Sequence, residues 1–139
     1  MSPRPDAQVR SLEWAEPIVV DGSSSLRAAA AALDGCQVGA LLVTGGRRNI
    51  GIVSERDVVA ALRDGADPDR LRVDRIASRP VVTTAPDERL IDVARRLITD
   101  HCRHVVIVDG DEVVGILSMR DLLAVLIEIV GDTTNGEGG

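Results

Sequence analysis

Aromatic side chains are almost absent from the sequence, which has no Phe, no Tyr and a single tryptophan, Trp14. A folded core must therefore be built from Val, Ile, Leu and Ala. Proteins that read single-stranded nucleic acid commonly stack the bases on aromatic side chains. The composition nearly excludes that class of function.

Lysine is also absent, and all 16 basic residues are arginine, against 22 acidic residues and a formal net charge of −6. Genomic codon bias explains the missing lysine, since charge physics does not require it. A net acidic surface repels phosphate backbones and anionic membranes, so neither nucleic acid nor a membrane is expected as a partner. A small anionic ligand remains compatible, because nearby arginines outweigh a distant net charge.

Cysteines and long apolar runs are scarce as well. Cys36 and Cys102 are too few for a disulfide framework, so both are expected to be reduced core thiols. The sequence has no apolar run of membrane length and no charged-then-apolar leader, so a cytoplasmic location is expected. A length of 139 residues suits one compact domain or two small subdomains that share a core.

A short motif occurs twice, as Gly-Ile-Val-Ser-Glu-Arg-Asp at residues 51–57 and as Gly-Ile-Leu-Ser-Met-Arg-Asp at residues 115–121. The two copies are 64 residues apart, and each lies where an apolar strand is followed directly by a helix. Backbone N–H groups and short polar side chains converge at such a corner, which favours an anionic or hydroxyl-rich ligand. The repeat predicts two related sites.

The rest of the chain follows the same repeat, with the order strand, helix, strand, strand, helix in each half. We therefore predict an α/β (α+β) fold of two β-α-β-β-α repeats packed about a pseudo-twofold axis. The last helix is apolar on most sides, which predicts burial on more than one face. In the first half the predicted elements are a strand at 18–20, a helix from Leu26 stopped by Asp34 and Gly35, a hairpin of 40–43 with 50–53, and a helix from Ser54 to residue 62 or 63. In the second half they are a strand at 81–84, a helix over 90–98, a hairpin of 104–108 with 113–117, and a helix from Ser118.

This order, together with Gly-Ile-Val-Ser-x-x-Asp or Gly-Ile-Leu-Ser-x-x-Asp at the final corner of each half, resembles a tandem pair of cystathionine β-synthase (CBS) domains, the Bateman module. The resemblance covers nearly the whole chain, and the duplication makes it specific. We assign residues 9–64 to the first CBS repeat and 73–130 to the second, joined by a linker at 65–72. Residues 1–8 and 131–139 are predicted to be flexible tails.

The resemblance also implies a site. In this family the Ser or Thr and the Asp of the corner contact the phosphate or ribose of adenosine-containing ligands, in the cleft between the two repeats. Basic residues before the hairpin strand often contact the phosphates; Arg103 and His104 occupy that place, whereas their first-half equivalents are Gly39 and Ala40. One polyphosphate-competent cleft and one weaker or empty cleft are therefore expected. The predicted ligand-binding residues are Ser54, Arg56, Asp57, Arg103, His104, Ser118, Arg120 and Asp121.

Three other interpretations concern these and neighbouring residues: helix capping stays open, whereas metal binding and catalysis are disfavoured. Ser-x-x-Asp at a helix start is also a capping box, which stabilises a helix by about 0.5 to 2 kcal/mol without any ligand. The His-Cys-Arg-His run at 101–104 offers zinc-type ligands, but no further ligand cluster accompanies it, so no metal is expected. No base is placed to activate Ser54, and catalysis by either serine is not expected.

The function predicted from the resemblance is that of a stand-alone regulatory module, not an enzyme, that requires no cofactor. It binds AMP, ADP or ATP, with NAD or S-adenosylmethionine less favoured, and signals to a partner protein that the sequence does not name. Pairs of this family commonly form flat twofold dimers through their helices, so a homodimer is implied. The alternative is a ligand-free dimeric assembly protein whose corners are merely capped helices.

Overall fold

The computed structural model describes residues 6–14, 16–46, 48–79 and 81–137, with the side chains of 48–50 and 129–137 left out. The chain forms two compact units. The contiguous unit is Pro17–Val81, and the divided unit combines Met1–Glu16 with Val82–Gly139. The units therefore have different boundaries from the sequence repeats, since each repeat begins with a segment that belongs to the other unit.

The contiguous unit is a three-stranded sheet with two helices. Its sheet has the order β1-β2-β3, in which β1 pairs parallel to β2 and β2 pairs antiparallel to β3. A 3-10 helix at Val73–Arg75 completes the unit. The remaining elements are β1 (Val19–Asp21), α1 (Leu26–Cys36), β2 (Ala40–Gly45), β3 (Arg48–Ser54) and α2 (Glu55–Arg63).

The divided unit has the same plan. It begins with a 3-10 helix at Val9–Ser11, and its sheet has the order β4-β5-β6 with one parallel and one antiparallel pair. Its remaining elements are β4 (Thr83–Thr84), α3 (Leu90–Thr99), β5 (His104–Asp109), β6 (Glu112–Ser118) and α4 (Met119–Glu137). The prediction of an α+β fold with two β-α-β-β-α repeats is thus confirmed.

The end of α1 differs from the prediction. Asp34 and Gly35 do not stop the helix; it continues to Cys36 and is ended by Gln37, whose φ is 53°. The N–H of Gln37 donates to the carbonyls of Leu33 and Asp34, so the helical hydrogen bonds are completed before the chain turns. Gly35 has open space around its Cα and is tolerated inside the last turn.

Part of each predicted tail belongs to a helix or forms backbone hydrogen bonds. The helix α4 continues to Glu137, where residues 131–139 were predicted to be a flexible tail. At the other end, Ala7 accepts a hydrogen bond from the N–H of Leu90, and Gln8 forms a bridge with Arg89. Residues 1–5, 15, 47, 80 and 138–139 lie outside the described residues.

The core of each unit is aliphatic, as the composition predicted. In the contiguous unit α1 and α2 pack onto one face of the sheet, and α3 and α4 do the same in the divided unit. The expectation of two core thiols is wrong for Cys36, which is exposed at the last turn of α1, while Cys102 is half-buried beside the core. Burial raises the pKa of the Cys102 thiol, and the nearby Asp100 acts in the same direction.

Each unit contains a 3-10 helix that comes from the beginning of the repeat whose remaining elements form the other unit. Val9 is fully buried in the core of the divided unit, beside Leu90. Its N–H donates to the carbonyl of Glu88, with an N to O distance of 2.9 Å. Val73 is equally buried in the contiguous unit, and its N–H donates to the carbonyl of Ser24 with the same N to O distance of 2.9 Å. The two 3-10 helices are therefore equivalent parts of the two cores.

An ion pair between Glu88 and Arg96 holds the start of α3 in the divided unit. Burial alone raises the pKa of Glu88, but the hydrogen bonds from Arg96 and from the N–H of Ala85 outweigh it and lower that pKa below its ordinary value. Arg96 also donates to the carbonyl of Thr83, with an N to O distance of 2.7 Å.

Replacing Glu88 should therefore give a stability loss that depends on pH. Because the folded pKa is depressed, the contribution of Glu88 is complete above its unfolded pKa and is lost as the pH falls through the folded value. Glu88→Gln should lower the free energy of unfolding by about 1 kcal/mol at neutral pH. Urea titrations at neutral and acidic pH check this, and a difference that persists unchanged in acid would contradict it.

None of the described helices combines the length and the apolar character needed to cross a membrane.

Candidate functional site

The first corner joins β3 to α2, and its polar side chains are engaged with each other. Ser54 accepts a hydrogen bond from the N–H of Asp57 through Oγ at 3.2 Å. The carboxylate of Asp57 accepts hydrogen bonds from the backbone N–H of Ser54 at 2.8 Å and from its hydroxyl at 3.0 Å. This is a complete capping box, so the capping interpretation is correct for this corner.

The second corner joins β6 to α4, and only one of the two kinds of capping-box hydrogen bond is present there. Ser118 again accepts a hydrogen bond from the backbone N–H of the aspartate, with a distance of 3.1 Å between Asp121 N and Ser118 Oγ. The carboxylate of Asp121 is exposed and forms no hydrogen bond or ion pair with any described residue. An ionised carboxylate with its acceptor sites open can receive hydrogen bonds from a ligand.

The structure brings the predicted basic pair to this second corner. The carbonyl of Arg103 accepts a hydrogen bond from the N–H of Met119, the first residue of α4, at 2.6 Å. His104 is directly opposite Ser118 in the pairing of β5 with β6. At the first corner the equivalent positions are Gly39, whose carbonyl accepts from the N–H of Glu55, and Ala40, which pairs with Ser54.

The two corners differ in charge. The second has Arg103 and Arg120 against the single acid Asp121, whereas the first has Arg56 against both Glu55 and Asp57. The three arginines are exposed, and within the described part of the chain none of them forms an ion pair. A cation in the first turn lies at the positive end of the helix dipole, which is unfavourable unless an anion binds there. The second corner therefore has one more basic than acidic residue, and the first corner has one more acidic than basic residue.

The first glycine of each motif has a packing role that the sequence reasoning missed. A Cβ at Gly115 would lie 2.3 Å from Cδ1 of Trp14, so the indole ring covers this strand residue. A Cβ at Gly51 would lie 2.8 Å from the carbonyl oxygen of Ser78. Trp14 and Ser78 are themselves 64 residues apart, and that spacing was the available signal.

The metal and nucleophile interpretations gain no support from the geometry. No group of three or more metal-ligating side chains occurs among the described residues. His101 is not part of a strand, since it has a left-handed φ of 53° and β5 begins only at His104.

The comparison with protein-family models matches the CBS domain twice, at residues 9–64 and 73–128. The chain belongs to the CBS domain family, and it contains a tandem pair of these domains. The resemblance inferred from the two corner motifs is confirmed.

Two known proteins are similar to this chain in sequence or in structure. Uncharacterized protein MJ1225 of Methanocaldococcus jannaschii is 34% identical over 88 residues, which cover 63% of this chain and 31% of that protein. The match thus spans about a third of the length of that relative. The CBS domain protein PAE2072 from Pyrobaculum aerophilum, whose structure is a complex with AMP, is 27% identical with a TM-score of 0.75, over 90% of this chain and 99% of that one.

A third likeness concerns the fold. The CBS domain pair of protein MJ0100, solved in complex with 5′-methylthioadenosine and S-adenosyl-L-methionine, is 24% identical with a TM-score of 0.75. The likeness covers 88% of this chain and 97% of that one.

Proposed function

We propose that the chain is a regulatory module that binds an adenosine nucleotide, AMP in the first place, at the second corner and signals its presence to a partner protein. Ser118 and Asp121 contact the ribose, while Arg103, His104 and Arg120 contact the phosphate. The first corner, with Ser54, Arg56 and Asp57, is the weaker or empty site. Binding needs no further cofactor, and the module is not an enzyme.

The observation that carries this proposal is the difference between the two aspartates. Asp57 uses its carboxylate to cap α2, whereas Asp121 leaves its carboxylate open beside two exposed arginines. A vicinal diol can donate two hydrogen bonds to one carboxylate, and the N-terminus of α4 favours a phosphate group. The same corner thus offers an acceptor for the ribose and donors for the phosphate.

The AMP complex of PAE2072 supports the choice of ligand, since that protein is similar to this chain over nearly its full length. Among the other candidates, ADP and ATP carry more phosphate groups than AMP and therefore need more positive charge around them. NAD and S-adenosylmethionine would place groups other than a terminal phosphate near the arginines.

Trp14 provides a direct test of the proposal. It is the single tryptophan of a chain without Tyr, and its ring contacts Gly115, three residues before Ser118. Titration with AMP should change the emission of Trp14 in a saturable way, and calorimetry should give the same dissociation constant. No heat and no spectral change at millimolar AMP, ATP, NAD or S-adenosylmethionine would reject the proposal.

Arg103→Ala should separate phosphate recognition from adenosine recognition. Removing the guanidinium should weaken ATP binding by about tenfold, since charge-assisted hydrogen bonds contribute about 1.5 to 3 kcal/mol. Adenosine has no phosphate and should bind the variant and the parent protein alike. Calorimetric titrations of both ligands check this, with Arg63→Ala as the control, because Arg63 is an exposed arginine at the end of α2 and belongs to neither corner motif. An equal loss of affinity for ATP and for adenosine would contradict the proposed contact between Arg103 and the phosphates.

The alternative of a dimeric assembly protein is favoured by one observation, the exposed apolar side chains on the helices of the divided unit. Ile98, Leu123 and Ile127 are 62%, 46% and 68% exposed. Among the described side chains of α4, one face is thus buried within the chain and the other is exposed. The predicted burial on more than one face is not found within the chain, and an interface with a second copy would supply it.

Charges placed on that open face should prevent association. Leu123→Glu combined with Ile127→Glu should give a monomer where the parent protein is a homodimer, because burying two carboxylates in an interface is costly. Sedimentation equilibrium measures the outcome. A parent protein that is monomeric at all concentrations would contradict the prediction, while a dimer that binds no nucleotide would favour the assembly function.

A further inference from the structure

The contiguous unit contains a pocket that shares a single residue, Glu55, with the first corner motif. The pocket has a volume of about 440 Å³ and lies between the end of α1, the loop that follows α1 and the first two turns of α2. Its apolar lining consists of Ala30, Leu33, Val38, Val58 and Val59. Pockets that hold small organic molecules range from about 300 to 1,000 Å³ and are mostly apolar with a few polar groups.

The polar lining of this pocket is acidic. It consists of Asp34, Gln37 and Glu55. Neither carboxylate forms an ion pair or a side-chain hydrogen bond with any residue in the described part of the chain. Asp34 also lies in the last turn of α1, which has no basic residue, so its charge adds to the negative end of the helix dipole. Two unpaired carboxylates and a helix C-terminus therefore face one apolar cavity.

The second repeat shows that the fold does not require these acids. At the spacing of 64 residues, Asp34 corresponds to Ile98 and Glu55 corresponds to Met119. The flanking positions agree in character, since Leu33 corresponds to Leu97. Gln37 and its counterpart His101 share the same left-handed backbone conformation. Both repeats thus build the same backbone here, but the second has apolar residues at the two positions that carry the pocket acids. Its own acid in this stretch, Asp100, corresponds to Cys36.

We propose that this pocket is a second ligand site, which binds a small organic cation with an apolar body and an ammonium or guanidinium group. The apolar body fills the space against Leu33, Val58 and Val59, and the cationic group lies between Asp34 and Glu55. A cation relieves the repulsion between the carboxylates and the end of α1, and the acidic net charge of the protein favours its approach. This site is independent of nucleotide binding at the second corner.

The test compares three probes of similar shape, namely phenethylamine, phenethyl alcohol and hydrocinnamate. Calorimetry should show saturable binding of the amine, about tenfold tighter than the neutral alcohol, and no binding of the anionic hydrocinnamate. Methyl resonances of Leu33, Val58 and Val59 should shift during the amine titration, which locates the probe. Equal affinity for all three probes, or shifts confined to other residues, would overturn the proposal.

The sequence itself provides the variant. Asp34→Ile combined with Glu55→Met installs the residues of the second repeat, so the fold should be retained while amine affinity falls about tenfold and alcohol binding stays unchanged. A milder pair, Asp34→Asn with Glu55→Gln, gives the same expectation if the first variant is poorly folded. The matched control is Asp111→Asn with Glu112→Gln, which removes two exposed acids from the β5–β6 turn. Amine affinity that survives in both pocket variants, or that is lost equally in the control, would reject the site.

Titration of the pocket variants with AMP separates the two proposals. Their AMP affinity should equal that of the parent protein, because neither Asp34 nor Glu55 belongs to the second corner. If AMP binding fails in the parent protein but the amine still binds, only the proposed nucleotide function is wrong.

Discussion

Gly51→Ala is expected to lower the free energy of unfolding by about 2 to 3 kcal/mol, although it adds a single methyl group. A Cβ at this position would lie 2.8 Å from Cβ of Ala77 and 2.8 Å from the carbonyl oxygen of Ser78. The backbone of Ser78 is tied to Ile52 by two hydrogen bonds, of 2.8 and 3.2 Å, so it cannot move away without breaking them. Overpacking of a rigid site typically costs about 1 to 3 kcal/mol.

A second glycine provides a control, because its replacement by alanine should change the stability in the opposite direction. Gly35 lies within α1, and a Cβ there would meet no atom within 4 Å. Gly35→Ala should therefore raise the stability by about 0.5 to 1 kcal/mol, because alanine restricts the unfolded chain and favours the helix. Urea unfolding followed by circular dichroism measures both variants. Equal stabilities for the two variants would show that the contact at Gly51 is not close.

Asp121→Asn is expected to weaken AMP binding by about 10- to 100-fold while leaving the fold intact. The substitution keeps the shape and the backbone N–H that donates to Ser118, but it removes the charge that accepts the hydrogen bonds of the ribose. Hydrogen bonds to a charged group contribute about 1.5 to 3 kcal/mol, which corresponds to this range of affinity. Calorimetry gives the affinity, and thermal unfolding gives the stability.

Asp57→Asn should lower the stability and leave AMP binding nearly unchanged. Its carboxylate completes the capping box of α2, so its loss should cost about 1 kcal/mol of stability and change AMP affinity little. Asp111→Asn removes an exposed acid from the same unit as Asp121 and serves as the control for net charge. If Asp57→Asn and Asp121→Asn reduced AMP binding equally, the proposed inequality of the two corners would be wrong.

The regular elements of this fold could be predicted because their signals are local. The apolar positions of α3 recur at helical spacing, and Leu90, Val93 and Leu97 are all buried as that spacing predicts. Ser25 and Ser54 both cap the helices that follow them, as short polar residues before an apolar run predict. Hydrogen-bonding and burial preferences of neighbouring residues fix such features without information from the rest of the chain.

Other features depend on contacts between distant parts of the chain, and the sequence did not reveal them. Residues 1–8 read as a loose tail, yet Ala7 and Gln8 pair with residues near 90. The left-handed residue after α1 is Gln37 and not the nearby Gly35, and the N–H of Gln37 donates to the carbonyls of Leu33 and Asp34. For the candidate site, the repeat predicted which residues lie at each corner. It did not predict that the Asp121 carboxylate lacks a partner among the described residues, because this depends on the side-chain conformation.

The placement of the N-terminal 3-10 helix determines the order in which the protein can fold as it is synthesised. The contiguous unit has its sheet, its helices and its core cluster within residues 17–81, so these elements can pack once that stretch has left the ribosome. The core of the divided unit cannot form so early, because Val9 must wait for Leu90 and the strands that follow. Such distant pairing is slow to form, so Val9 is buried later than the residues between it and Leu90 that form the core of the contiguous unit.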